Sequence, residues 1–183
     1  ILYLVKEKLF LNHPWVQKHP DWFKQRPVSS IQFAENPTQK HQDIYAIYFE
    51  TEDWEAMWVE FLNILFYWIR KGIKLFRVDN PHTKPFIFWE WIIAAVKEKY
   101  PEVLFLSEAF SRPKVMEELG KLGFSQSYTY YTWRNNKHEL VEYVNELTTG
   151  IMSEIYRPVF WPNTPSVLPF ALQNSSKHIY YTR

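Results

Sequence analysis

The chain has no cysteine among its 183 residues. That excludes disulfides, thiolate metal sites and a cysteine nucleophile, and it suits a reducing cytoplasm without requiring one. Glycine is scarce, at four residues, and neither a P-loop nor a G-x-G-x-x-G fingerprint occurs, which removes the standard nucleotide-binding folds. No apolar run reaches the ~18 residues expected of a membrane span. The opening ILYLVKEKLFL carries Lys6, Glu7 and Lys8 and lacks a small-residue cleavage site, so it does not read as a signal peptide. It starts without methionine, directly in a strand-like run, which suggests a piece of a longer chain. Charge of one sign is also missing: the formal net charge is +1, which gives no electrostatic case for nucleic acid as the main partner. No histidine pair, D-x-D-x-D-G loop or other metal-ligand spacing is present, so neither metal nor organic cofactor is expected.

What is there is apolar and aromatic. At 46% hydrophobic residues the chain can bury a real core, and its length corresponds to one domain or a large piece of one. Aromatics make up 19%, including nine Trp. Most of them serve as core material, whereas a surplus at loop positions would suit sugar binding, where pyranose C–H faces pack on rings.

Short β-rich runs alternate with amphipathic helical patterns. The clearest helix spans Trp54 to Arg70, with Trp54, Met57, Trp58, Phe61, Leu65 and Trp68 at the spacing of one buried face. Thr51 stands as its N-cap, acidic residues follow, and Gly72 supplies the stop. A strand is predicted at 73–78, a helix at 85–100, a strand at 103–107 and a helix at 113–122. Further on come a strand at 124–129, a helix at 136–147 and a strand at 154–161. Strands recurring every ~20–30 residues with helices between them indicate βαβ units and a parallel sheet. Right-handed crossovers place all strand C-terminal ends on one edge, where ligands bind in barrels and open sheets alike.

The polar residues at those ends therefore matter most. The first strand ends in Asp79 and Asn80, with Arg77 two residues earlier on the same face as Asp79. A guanidinium there favours the ionised carboxylate that a nucleophile needs, although the pair reads equally as a salt bridge at a strand end. The next strand ends in Glu108. Two carboxylates at adjacent strand ends are what glycoside hydrolysis uses, one attacking the anomeric carbon and the other protonating the leaving oxygen; a separation of roughly 5–5.5 Å predicts net retention. His82 and Lys84 follow in PHTKP, His82 as a scaffold residue rather than a catalyst.

The run FRVDNPHTKP (76–85) resembles the nucleophile motif of the α-amylase superfamily, glycoside hydrolase family 13. More narrowly, it is similar to that of the α-1,4-glucan:maltose-1-phosphate maltosyltransferases. FLSEAFSRP (105–113) resembles their general-acid motif, GFSQSYTYYTWR (123–134) the following strand and loop, and FWPNTP (160–165) the last conserved block. HPWVQKHPDWF (13–23) and AENPTQKHQDIY (34–45) are similar to the family's substrate loops.

The resemblance implies an α/β fold, a (β/α)₈ TIM barrel that takes ~250 residues when complete, with this chain covering about strands three to seven. Residues 1–183 would then be a partial catalytic domain that includes a substrate loop around 12–50. It further implies maltosyl transfer from maltose-1-phosphate to the non-reducing end of an α-1,4-glucan, with Asp79 as nucleophile and Glu108 as general acid/base. Arg77 would orient Asp79; Asn80, Asp43 and Asn36 would contact the donor, with Lys40 near the phosphate. No cofactor is required. A cytoplasmic homodimer in the full-length protein is implied, with no nucleic-acid or membrane partner.

Three departures from the family pattern stand out. Ser166 stands where the family has a third acid after NTP, and a serine brings no charge to an oxocarbenium-like transition state. Gln39 and His41 replace a lysine and a tyrosine near the phosphate, and a substrate glutamine near Asn12 and His13 is missing. Two other readings stay open: a hydrolase or isomerase of the same superfamily, and a non-catalytic glucan-binding relative, which Ser166 favours.

Overall fold

The computed structural model describes residues 2–4, 8–10, 12–25, 33–36 and 39–161. In chain order the elements are β1 (Leu2–Leu4), β2 (Lys8–Phe10), α1 (Pro14–Lys18), β3 (Phe33–Asn36), β4 (Gln39–Ala46), α2 (Trp54–Arg70) and β5 (Leu75–Asp79). There follow α3 (Phe86–Lys99), β6 (Leu104–Glu108), α4 (Pro113–Lys121), β7 (Gln126–Tyr128), α5 (Lys137–Thr148), α6 (Gly150–Ile155) and β8 (Pro158–Val159).

Five of the strands form one sheet in the order β1-β5-β6-β7-β8, and every pairing in it is parallel. The order never reverses, so each crossover turns the same way and stacks its helix on the same face. That is the winding of a barrel wall rather than of a doubly wound open sheet. Five consecutive strands agree with the expectation of a barrel segment. The connection from β1 to β5 holds a second sheet, antiparallel, in the order β2-β4-β3. The segment read from sequence as a substrate loop is thus partly built on strands.

Period-two alternation sets the two faces of the wall. Phe76 and Val78 on β5 and Phe105 on β6 belong to the main core, and the rings of Phe76 and Phe105, register partners, stack with centroids 5.7 Å apart. Against them lie Met57, Phe61 and Leu65 of α2 and Phe88, Trp89, Ile92 and Val96 of α3. Full burial of each such side chain contributes about 1.5–3 kcal/mol. The intervening residues Arg77 and Asp79 therefore belong to the opposite face, the interior of the barrel.

Helix α2 has the predicted limits, but its buried face is Met57, Trp58, Phe61, Leu65 and Ile69. Trp54 and Trp68 are about two-fifths exposed, because the stripe drifts with the 3.6-residue period and Ile69 takes the inward place. Thr51 is not the cap. It is buried in a turn, donating its N–H to the Tyr48 carbonyl, while Asp53 occupies the cap position and accepts a hydrogen bond from Trp22 Nε1 at 2.9 Å. The strand expected at 154–161 shrinks to Pro158–Val159, since Gly150–Ile155 forms a helix that ends with the Tyr156 N–H on the Met152 carbonyl.

Candidate active site

Asp79 closes β5 and Glu108 closes β6, and parallel register sets the two directly opposite each other. The next link across the strands runs from the Asn80 N–H to the Glu108 carbonyl at 3.1 Å, so pairing continues one residue past β5. Asn80 adopts φ 46°, the left-handed region, which asparagine tolerates better than other residues with a Cβ. Three donors converge on its carbonyl: the Thr83 N–H at 3.1 Å, Thr83 Oγ1 at 2.7 Å and the buried Lys84 Nζ at 3.3 Å. The PHTKP segment is thus a turn that locks the backbone immediately after Asp79, and His82 lies half-buried within it.

Arg77 is 6% exposed and Glu108 3% exposed, so both charges have left water. Buried charges persist only when paired, and Arg77 Nη2 forms an ion pair with Glu108 Oε2. Arg77 Nε donates to Tyr128 Oη at 3.1 Å, and the guanidinium lies 5.5 Å from the centre of the Tyr128 ring. Burial works against the arginine's charge, but Glu108 and Tyr128 together hold its pKa above the ordinary value.

Burial acts oppositely on Glu108. Loss of water pushes its carboxyl up to about 7; a hydrogen bond with Asp79 and the Asp79 charge reinforce the rise, and Arg77 opposes it. As register partners, Asp79 and Glu108 act on each other through their side chains. Among the described ion pairs, the guanidinium expected beside Asp79 is thus engaged by Glu108.

Aromatic side chains frame this edge. Phe110, two residues beyond Glu108, meets Trp133 edge to face at 4.8 Å, and Trp161 meets Tyr128 at 4.9 Å. Trp133 and Trp161 are each about two-fifths exposed. Tyr130 Oη donates to the Ser111 carbonyl at 3.1 Å, which ties the loop after β7 to the loop after β6. Aromatic side chains therefore do occupy the loops that follow β6, β7 and β8.

Of the remaining candidates, Asn36 ends β3 and Lys40 and Asp43 lie along β4, in the antiparallel sheet rather than the wall. Ser166 lies outside the described residues. Sequence reasoning gave no role to Tyr128 or to Lys84. Tyr128 ends β7 as Asp79 and Glu108 end their strands, so the strand-end rule could have found it. Volume points elsewhere: a groove of about 880 Å³ is lined by Asp21, Lys24, Tyr48, Glu50 and Asp53 among others, and by none of the residues just described. Convergent titratable groups, not space, define a reactive centre. Among the described residues no cluster of three or more His, Asp or Glu could hold a metal ion, and no helix is long and apolar enough to cross a membrane.

Solved structures share the fold of this singly wound parallel wall. The cyclic α-maltosyl-(1→6)-maltose hydrolase of Arthrobacter globiformis superposes with a TM-score of 0.63 over 88% of this chain and 41% of its own, at 16% identity. An α-amylase from Lactobacillus plantarum gives 0.61 over 80% and 38%, at 20% identity. No family model matches the chain. Sequence relatives narrow the class. The α-1,4-glucan:maltose-1-phosphate maltosyltransferase of Chlorobaculum tepidum is 53% identical over 94% of this chain and 26% of its own length. The enzymes of that name from Methylacidiphilum infernorum and Pseudomonas aeruginosa are 52% and 50% identical over 94% and 91% of this chain, covering 26% and 25% of theirs. By sequence the chain is thus similar, over nearly its whole length, to part of the α-1,4-glucan:maltose-1-phosphate maltosyltransferases, and it spans about a quarter of the length of the curated relatives it matches.

Proposed function

We propose that the protein carrying this chain transfers maltosyl from maltose-1-phosphate to the non-reducing end of an α-1,4-glucan by a retaining double displacement. The observation that carries the reading is the apposition of Asp79 and Glu108 at the strand ends, with Glu108 held up to about 7. In the first half, Asp79 attacks the anomeric carbon while protonated Glu108 gives its proton to the departing phosphate oxygen. A carboxyl with an ordinary value would be largely ionised at neutral pH and could not donate. In the second half, the Glu108 carboxylate takes the proton of the acceptor hydroxyl, whose oxygen displaces Asp79 from the sugar carbon. Two inversions give net retention.

On this reading residues 1–183 are part of a catalytic barrel domain, with Asn36, Asp43 and Asn80 as donor contacts, Lys40 near the phosphate and Ser166 in the place of the third acid. The exposed rings of Trp133 and Trp161 give the neighbouring glucan apolar faces to pack on. A cytoplasmic homodimer without cofactor belongs to the same proposal. The test is phosphate release from maltose-1-phosphate with maltohexaose, in the full-length protein and in its Asp79→Ala and Glu108→Ala variants. Release that requires the acceptor and disappears in both variants supports the transfer. Free maltose in place of an elongated glucan would make the protein a hydrolase. A folded wild-type protein that binds glucan but releases no phosphate would be a non-catalytic relative.

A further inference from the structure

We infer that Tyr128 is a positioning residue that sets the proton affinity of Glu108 by holding Arg77. The inference rests on the reading of Glu108 as general acid for its kinetic consequence, but the contact itself is independent of any reaction. A guanidinium carries its donors in one rigid plane. Nη2 is committed to Glu108 and Nε to Tyr128 Oη, so two anchors on different strands fix the plane, and the tyrosine ring lies beside it. Loosened on the Tyr128 side, the guanidinium could tilt away from the carboxylate.

Tyr128 is itself immobilised. It is 3% exposed, its carbonyl accepts a hydrogen bond from Tyr156 Oη at 2.5 Å, and its backbone is paired in register with Val159. The charged groups that act on Glu108 are Arg77 and Asp79, both from β5, while β7 contributes Tyr128 through Arg77. Of these, Arg77 is the one that favours ionised Glu108. Slackening Arg77 therefore weakens the influence that keeps the proton off, and the carboxyl titrates higher.

The experiment uses the full-length protein and its Tyr128→Phe variant. The protonated carboxyl band of Glu108, assigned by its loss in Glu108→Gln, is followed by infrared difference spectroscopy across pH, alongside the pH dependence of phosphate release. Tyr128→Phe is expected to move the midpoint upward by about half a unit or more. The basic limb of kcat/KM should follow it, and kcat should fall about tenfold with little change in KM. A folded variant with an unmoved midpoint overturns the inference and leaves Tyr128 a packing residue. Arg77→Lys reads the same contact from the other side: it keeps the charge, removes the Nε donor, and should shift the midpoint in the same direction even if Tyr128→Phe fails to fold. Adding Tyr128→Phe to Arg77→Lys should then change nothing, and additive shifts would count against the inference. Wild-type protein that releases no phosphate at any pH would defeat the transfer reading alone, with the infrared midpoint still deciding the role of Tyr128.

Discussion

At the scale of the residue, the unusual object is a carboxyl that keeps its proton near neutrality. Glu108 titrates at about 7 in the folded protein against 4.5 for the unperturbed side chain. Between those values the native state binds a proton that the unfolded chain has released, so stability falls as pH rises. The contribution is fully present below 4.5 and lost as pH passes through about 7. Replacing Glu108 with Gln removes the ionisation, so urea midpoints measured across this interval should lose most of the decline that the wild type shows. An equally steep decline in the variant would place the responsible group elsewhere. The same titration should appear in kinetics: phosphate release should fall on the basic side near pH 7, and Glu108→Gln should retain at most about a hundredth of the rate.

At the scale of the element, much of the wall was legible because its signals are local. The apolar spacing from Met57 to Leu65 with Gly72 behind it gave α2 its limits, and the strand-end rule brought Asp79, Glu108 and Arg77 to one edge. What stayed hidden depends on distant partners. The antiparallel pairing of Lys8–Phe10 with β4 joins segments about 35 residues apart, and no local periodicity reports that closure. The ion pair of Arg77 with Glu108 depends on how β6 lies against β5, which spacing within β5 cannot show. Two glycines at element ends give a direct test of local geometry. Gly72 and Gly123 both have positive φ, 93° and 97°, but a Cβ at Gly72 meets nothing within 4 Å, whereas at Gly123 it falls 3.0 Å from Ile93 Cγ2 in the core. Gly72→Ala should cost only the backbone strain, about 1–2 kcal/mol. Gly123→Ala should cost that and about 1 kcal/mol or more for displacing a packed side chain. Equal losses in denaturant melts of the two variants would show that Ile93 gives way freely.

At the scale of the whole molecule, the wall is unclosed among the described residues. Among the described residues β1 pairs with β5 alone and β8 with β7 alone, so each stands at an edge of the sheet. Arg77 and Glu108, deeply buried, face the side that a complete barrel would fill with further strands. Backbone edges seek partners, and a core facing half a barrel lacks the far side of its packing. Residues 1–183 expressed alone should therefore melt broadly and associate with rising concentration. Within the full-length protein, the amides of β5 and β6 should be among the slowest to exchange, since they lie at the centre of the sheet with helices packed behind them. Hydrogen exchange read by mass spectrometry on both forms would decide it. Slow exchange of β5 and β6 in the short form, with a sharp concentration-independent melt, would mean that the five-stranded wall and its helices are a folding unit in their own right. In that case the apposition of Asp79 and Glu108 would not depend on barrel closure.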